Sequence, residues 1–186
     1  MRSFGVCHLI NFAIRTLLLF CILATSSFTN VATANEDQRL FKAAFIYNFA
    51  KFTRWPSTSD SIKKTTINLC TLGKDQLVDD LTRLKGKTIQ NKKLIVKLFK
   101  EPDECDMLYI ASSKKNNYKK NLQSISGKPI LTISEIKNFT LSGGIIELTH
   151  NKGQTSISVN LNAAYRNHLE LSSRLLMLAN LVDESP

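Results

Sequence analysis

The sequence predicts an α/β fold: a mostly parallel sheet flanked by helices, with an antiparallel hairpin near the C-terminus and a long C-terminal helix. Short apolar runs alternate with segments of helical periodicity, which is the pattern of parallel strands joined by helical crossovers. The run Cys105–Ala111 is nearly all apolar after Asp106, as is typical of a strand buried on both faces. Asn151-Lys152-Gly153 separates two short strands and indicates a hairpin turn.

The predicted elements follow one another along nearly the whole chain. Phenylalanines recur at helical spacing from Phe41 to Phe52, which predicts a helix over Glu36–Arg54. It ends at Trp55-Pro56, because the residue before a proline is pushed out of the α region. The further predicted strands are Ile67–Leu72, Leu94–Phe99, Cys105–Ala111, Pro129–Ile133, Ile145–Thr149 and Thr155–Val159. The further predicted helices are Asp75–Lys85 and Tyr118–Ile125, with one helical turn at Ser134–Phe139, for which Ser134 is the predicted cap.

The last helix is predicted from Asn160, as its cap, to about Val182. Its apolar residues fall at alternating spacings of three and four, which is the packing face of a helix. These residues are Leu161, Ala164, His168, Leu171, Leu175, Leu178 and Val182. A second apolar edge consists of Tyr165, Leu169 and Leu176. Two edges indicate either contact with another chain or a helix sunk deep in its own core. Arg166, Glu170 and Arg174 repeat every fourth residue, so they form ion pairs along the helix or present charge to a partner.

The N-terminus resembles a cleavable secretory signal. Arg2 and Arg15 precede the apolar run Leu17–Ala24, and a polar stretch then ends in Ala32-Thr33-Ala34. We therefore predict a signal peptide over residues 1–34 and a single exported domain over 35–186. An uncleaved anchor is the alternative, although the apolar run is far shorter than the roughly 20 residues that a spanning helix needs. No second apolar run of that length follows, so we expect a soluble mature protein.

The cysteines that remain after cleavage are Cys70 and Cys105. Two cysteines in an exported domain are most simply explained by one disulfide, because oxidising compartments favour its formation. Metal binding is the weaker alternative, since neither a C-x-x-C nor an H-x-x-H pair accompanies them.

Composition and motifs argue against an enzyme and against a nucleic-acid binder. The formal charge is +10, and removal of Arg2 and Arg15 with the signal lowers it to +8. The lysine pairs lack the interleaved arginine and aromatic residues of nucleic-acid binders, so solvated faces or weak attraction to anionic membranes explain them better. The sequence contains no recognisable hydrolase, metalloprotease or nucleotide-binding motif, and we expect no cofactor and no metal. Gly143-Gly144 is interpreted as a close approach of two backbones, with anion binding as the alternative.

A resemblance to a known family rests on residues spread over the predicted domain. The segment Phe41–Pro56, with the sequence FKAAFIYNFAKFTRWP, resembles the opening signature of the YfiR family of periplasmic proteins. Later features agree in order. They are Leu69-Cys70, Leu72-Gly73, Cys105 before a buried strand, Ile130–Ile133, Gly143–Ile146, Val159–Ala164 and Leu169–Leu176.

The resemblance implies a function that composition does not show. It implies a non-enzymatic periplasmic repressor that binds the periplasmic sensor part of an inner-membrane GGDEF-type diguanylate cyclase, which lowers cyclic di-GMP and restrains biofilm formation. It also implies a homodimer and a disulfide between Cys70 and Cys105. A second disulfide of some members has no counterpart around Gly144.

The resemblance further implies partner contacts on the C-terminal helix, and we assign them to Leu169, Glu170 and Arg174. The alternative function is a periplasmic sensor module that binds a small molecule.

Overall fold

A computed structural model of the chain describes residues 30–57, 64–151 and 154–183. The chain divides into two units, Met1–Gln38 and Arg39–Pro186, and the fold described here is that of the second. The helices are α1 (Asn30–Phe52), α2 (Gln76–Thr82), α3 (Tyr118–Ser124), α4 (Leu161–Arg166) and α5 (Ser173–Leu176). The strands are β1 (Thr53–Arg54), β2 (Thr66–Leu72), β3 (Thr88–Ile89), β4 (Lys92–Leu98), β5 (Met107–Ile110), β6 (Leu131–Ser134), β7 (Ile146–Asn151), β8 (Gln154–Val159), β9 (Glu170–Leu171) and β10 (Asn180–Leu181).

Within the described residues, eight strands form one mixed sheet in the order β10-β8-β7-β6-β5-β2-β4-β3. Five central strands, β4, β2, β5, β6 and β7 in sheet order, run parallel to one another. Strands β7 and β8 pair antiparallel as the predicted hairpin, and β10 adds to β8 in parallel. The predicted fold class is therefore confirmed, apart from the long C-terminal helix. Part of the predicted hairpin turn, residues 152–153, lies outside the described residues, as does nearly all of the predicted signal peptide.

Both faces of the sheet are covered, as strand β5 shows. All four of its residues are buried. Met107 and Tyr109 belong to a core that includes residues of α1, whereas Leu108 and Ile110 belong to a second core that includes residues of α3. Because side chains alternate between the faces of a strand, one apolar run supplies both cores. This explains why the sequence of β5 shows no alternation of polar and apolar residues.

The end of α1 is fixed by side chains that donate hydrogen bonds to its last carbonyl groups. The Thr53 hydroxyl donates to the Phe49 carbonyl at 2.8 Å. The Gln90 amide, on the turn between β3 and β4, donates to the Lys51 carbonyl at 2.9 Å. Gln90 has a left-handed backbone with φ of 49°, which places its side chain against the helix end. The last carbonyls of a helix need such partners, and here they also hold β1 in position.

Gly144 makes room for an aromatic ring. A Cβ atom at this position would lie 2.2 Å from ring carbons of Phe139. Phe139 is fully buried and packs against Tyr118, with ring centroids 5.7 Å apart. The neighbouring Gly143 has φ of 95° and ends the 3-10 helix Thr140–Ser142. The glycine pair thus permits a left-handed turn and the approach of a ring, and the atoms nearest to a Cβ at Gly144 belong to that ring.

The turn after β6 differs in position from the prediction. Ser134 is the last residue of β6, and its hydroxyl accepts from the Ile136 N–H at 3.1 Å while donating to the Ile110 carbonyl at 2.7 Å. Ser134 therefore holds the backbone of the following turn, but it does not cap a helix as predicted, because the 3-10 helix begins only at Thr140. The hydroxyl also ties the end of β6 to β5.

The predicted long helix from Asn160 to Val182 is wrong. Asn160 does cap a helix, because its side-chain oxygen accepts from the Ala163 N–H at 2.8 Å. Helix α4 nevertheless ends at Arg166, and His168 then adopts φ of 56°, which turns the chain out of the helical direction. The remaining residues form β9, the short helix α5 and β10.

Pairing with distant parts of the chain explains this outcome. Strand β9 pairs antiparallel with β1, and β10 pairs with β8. This arrangement buries Leu169 and Leu175, each about 1% exposed. Arg54 and Glu170 are separated by 116 positions, so the competing strand pairing leaves no trace in the local periodicity.

Replacement of Gly144 tests the packing against Phe139. We expect Gly144→Ala to lower the free energy of unfolding by about 3 kcal/mol or more, because the added methyl group overlaps a fully buried ring. Gly127→Ala is the matched control. Gly127 has φ of 77° and open space around it, so we expect a loss of only about 1 kcal/mol from backbone strain. Urea unfolding of both variants measures the difference, and equal losses would show that the ring contact is not the cause.

Candidate partner-binding surface

The disulfide joins Cys70 of β2 to Cys105, with Cα atoms 5.7 Å apart and 35 positions between them in sequence. Both cysteines are buried, and both belong to the core on the α3 side of the sheet. Strands β2 and β5 are parallel neighbours in the sheet, although β4 comes between them in the chain. The bond therefore joins the two ends of the crossover that runs from β2 through β4 to β5. The predicted bridge is confirmed. Because both sulfur atoms form the disulfide, they are not available as thiolate ligands for a metal. Among the described residues, no group of three or more histidine, cysteine or acidic side chains is placed to hold a metal ion.

Ion pairs hold the segment that carries Cys105. Lys97 binds Glu104 at 2.7 Å, and Lys128 binds Asp103 at 2.6 Å. The hydrogen bond from Lys97, reinforced by its charge, holds the pKa of Glu104 below its ordinary value. These pairs are largely exposed to solvent, so each adds little stability. They restrict the short 3-10 helix Pro102–Glu104 to a position from which Cys105 reaches β2.

A buried polar network lies where β5 and β6 end. The Tyr109 hydroxyl donates to Asp75 at 2.9 Å and lies 3.5 Å from Glu135. Lys42 of α1 forms an ion pair with Glu135. Burial, followed by the two carboxylates, raises the pKa of Tyr109 far above its ordinary value. The hydroxyl therefore keeps its proton, and the network fixes α1 over the strand ends.

The C-terminal segment is fastened to the end of α1 by backbone pairing. Thr53 pairs with Leu171, and Arg54 pairs with Glu170. The Ser172 N–H donates to the Phe52 carbonyl at 2.8 Å. The ion pair between Arg54 and Glu170, at 3.3 Å, joins side chains that are 81% and 68% exposed. An exposed pair of this kind adds little stability, so the backbone bonds and the buried leucines hold the segment.

The structure separates the residues that the sequence groups as partner contacts. Leu169 is 1% exposed and belongs to the core, so it positions its neighbours and does not present its own side chain. Glu170 and Arg174 are exposed, but they lie on β9 and α5 and not on one helix. Glu170 forms its ion pair with Arg54 on the neighbouring strand. The sequence pattern predicts instead an ion pair with Arg166 or Arg174 along a helix.

Exposed apolar side chains follow this segment, and sequence reasoning did not select them as a site. Met177 is 77% exposed, Leu178 is 68% exposed and Leu181 is 55% exposed. We call these three residues the C-terminal apolar surface. Leu181 lies on β10, which is the outermost strand at its end of the sheet in the described residues. The helical spacing predicts Leu178 on the packing face of a continuous helix, and the break at His168 is what places it outside the core.

The family comparison covers most of the chain. The model of the YfiR/HmsC-like family (DUF4154) matches residues 40–180. The chain belongs to this family. The match includes the helix α1 signature, both cysteines and the C-terminal apolar surface up to Leu178, and it confirms the resemblance seen in the sequence. None of the curated proteins matches this YfiR/HmsC-like chain in sequence. Within the residues described, no helix is both long and apolar enough to cross a membrane.

Loss of the disulfide tests its contribution to the fold. We expect Cys70→Ala with Cys105→Ala to lower the free energy of unfolding by about 3–4 kcal/mol, because opening a loop of this length frees the unfolded chain. Guanidinium unfolding with and without reductant measures the effect. Reductant should destabilise the parent protein to the same extent and leave the double variant unchanged. A parent protein that is equally stable in reductant would contradict a structural role for the bond.

Proposed function

We propose that this YfiR/HmsC-like protein is a non-enzymatic periplasmic repressor. It binds the periplasmic sensor part of an inner-membrane diguanylate cyclase of the GGDEF type and lowers cyclic di-GMP, which restrains biofilm formation. Family membership supports the regulatory role. The disulfide is consistent with an oxidising compartment.

The observation that carries this proposal is the C-terminal apolar surface. Clustered large apolar side chains on a protein surface mark interaction sites more often than isolated ones do. Met177 and Leu178 adjoin in sequence, and Leu181 follows on a strand whose outer edge has no neighbouring strand in the described part of the sheet. Interfaces combine an apolar centre with a polar rim. Glu170 and Arg174, both exposed and both close in the chain, supply charged groups for such a rim.

Repression requires that the two conformations of the sensor bind this surface unequally. A ligand shifts a conformational equilibrium only by the difference between its affinities for the two states. The repressor therefore binds the inactive conformation of the cyclase more tightly than the active one. No chemical step on the repressor is needed, and the proton-retaining Tyr109 network is compatible with a purely structural role.

A homodimer is proposed from the family resemblance alone. The small-molecule sensor remains a second candidate function, and a cleft on the α3 side of the sheet favours it. The two functions are compatible, since a ligand that altered the repressor would alter its contact with the cyclase.

The proposed docking surface is tested with a charge placed at its centre. We expect Leu178→Asp to raise intracellular cyclic di-GMP to the level of a strain that lacks the gene. A carboxylate buried at an interface centre costs about 2 kcal/mol or more of binding free energy. Cyclic di-GMP is measured in the deletion strain complemented with each variant, with exported protein quantified in parallel.

Leu98→Asp is the matched control. Leu98 is 64% exposed on β4, close to the 68% of Leu178, but it lies toward the other end of the sheet. We expect this variant to repress fully and both variants to keep the oligomeric state of the parent, measured by light scattering. Full repression by Leu178→Asp, or equal loss with Leu98→Asp, would contradict the assignment of the surface. An unchanged cyclic di-GMP level in the deletion strain would contradict the repressor function itself.

A further inference from the structure

A cleft of about 630 Å³ opens on the α3 side of the sheet. Helix α3, the turn around Asn138–Gly143 and the end of helix α4 line it. Its volume lies within the range of small-molecule sites. It is distinct from the C-terminal apolar surface, because none of the residues of that surface lines it.

Hydrogen bonds between distant segments hold the walls of the cleft. The Tyr118 hydroxyl of α3 donates to Ser142 at 3.0 Å. The Asn167 side-chain oxygen, after α4, accepts from the Gly127 N–H at 2.9 Å. Thr132 lies 2% exposed among the lining residues and accepts from the Ile145 N–H at 2.9 Å. A site whose walls are fixed in advance loses less conformational entropy when it binds a ligand.

The charged side chains that line the cleft are basic. In the described part of the chain they are Lys119 and Arg166, and no acidic side chain joins them there. The surrounding sequence strengthens this bias, because the segment 114–120 contains four lysines and neither aspartate nor glutamate. Cations in a cleft with low-dielectric walls attract anionic ligands more strongly than the same cations on an open surface.

The remaining lining residues indicate the rest of the ligand. The side-chain amides of Gln123 and Asn138 and the hydroxyls of Ser126 and Ser142 also line the cleft. Amides and hydroxyls both donate and accept hydrogen bonds, and so they suit a ligand that carries hydroxyl groups. An inorganic anion would leave most of the volume unfilled.

We propose that this cleft binds a small organic anion that carries hydroxyl groups, with the chemistry of a sugar acid. Lys119 binds its carboxylate, and the amides and hydroxyls bind its hydroxyl groups. The site stands independently of the repressor function, since it is tested by binding alone.

The test titrates the isotopically labelled, exported protein with D-glucuronate and follows its backbone amides by NMR. We expect saturable shifts at Asn138, Gly143 and Asn167. D-glucose, which has the same ring without the carboxylate, should produce no such shifts at equal concentration. The Lys119→Glu variant should bind glucuronate about tenfold more weakly, as for the loss of a charge-assisted hydrogen bond.

Lys120→Glu is the control for a diffuse basic surface. Lys120 is exposed on the same helix, next to Lys119, but it does not line the cleft. We expect its affinity for glucuronate to stay within about twofold of the parent, since an exposed charge outside the site is screened. Absence of saturable shifts, equal loss in both variants, or equal shifts with inorganic phosphate would each overturn the proposal.

Discussion

The pairing of β1 with β9 is the constraint on which the proposed binding surface depends. It joins residues 52–54 at the end of α1 to residues 170–172, through Thr53 with Leu171, Arg54 with Glu170, and the Ser172 N–H with the Phe52 carbonyl. With the chain held there, Leu169 and Leu175 enter the core. The residues that follow then emerge on the outside, ending in the edge strand β10. A continuous helix would instead direct Leu175 and Leu178 to nearly the same side.

The same pairing joins the first helix of the domain, α1, to its C-terminal segment. Gln90 and Thr53 fix the end of α1 by binding its carbonyl groups, and β1 follows directly from that end. Lys42 and Glu135 hold the middle of α1 over the strand ends. The disulfide acts elsewhere, on the α3 side of the sheet, and stabilises the crossover that contains β4.

The parallel centre of the fold could be predicted from the sequence, because its signals are local. Apolar runs mark β2 and β5, the count of cysteines predicts the bridge, and Asn160 was assigned correctly as a cap. The C-terminal segment that follows Asn160 could not be predicted in the same way. The same helical spacing of apolar residues is compatible with one long helix or with α4 and α5 as separate short helices. Periodicity alone therefore does not reveal that the helix is broken at His168. The pairing that decides the outcome joins residues 116 positions apart. Glu170 and Arg174 are exposed as a helix face predicts, although they lie on β9 and α5. The exposure of Met177 and Leu181 depends on that distant pairing and has no local signal in the sequence.

Contact between Leu178 and the cyclase is tested most directly by crosslinking in the living cell. A photoreactive amino acid is introduced in place of Leu178, or in place of Leu98 as the control, in the exported protein of the native host. Irradiation at position 178 should give an adduct with an inner-membrane protein that contains a GGDEF domain, identified by mass spectrometry, and position 98 should give none. An adduct from both positions, from position 98 alone, or only with a second copy of this chain would contradict the assignment of the C-terminal apolar surface to the cyclase.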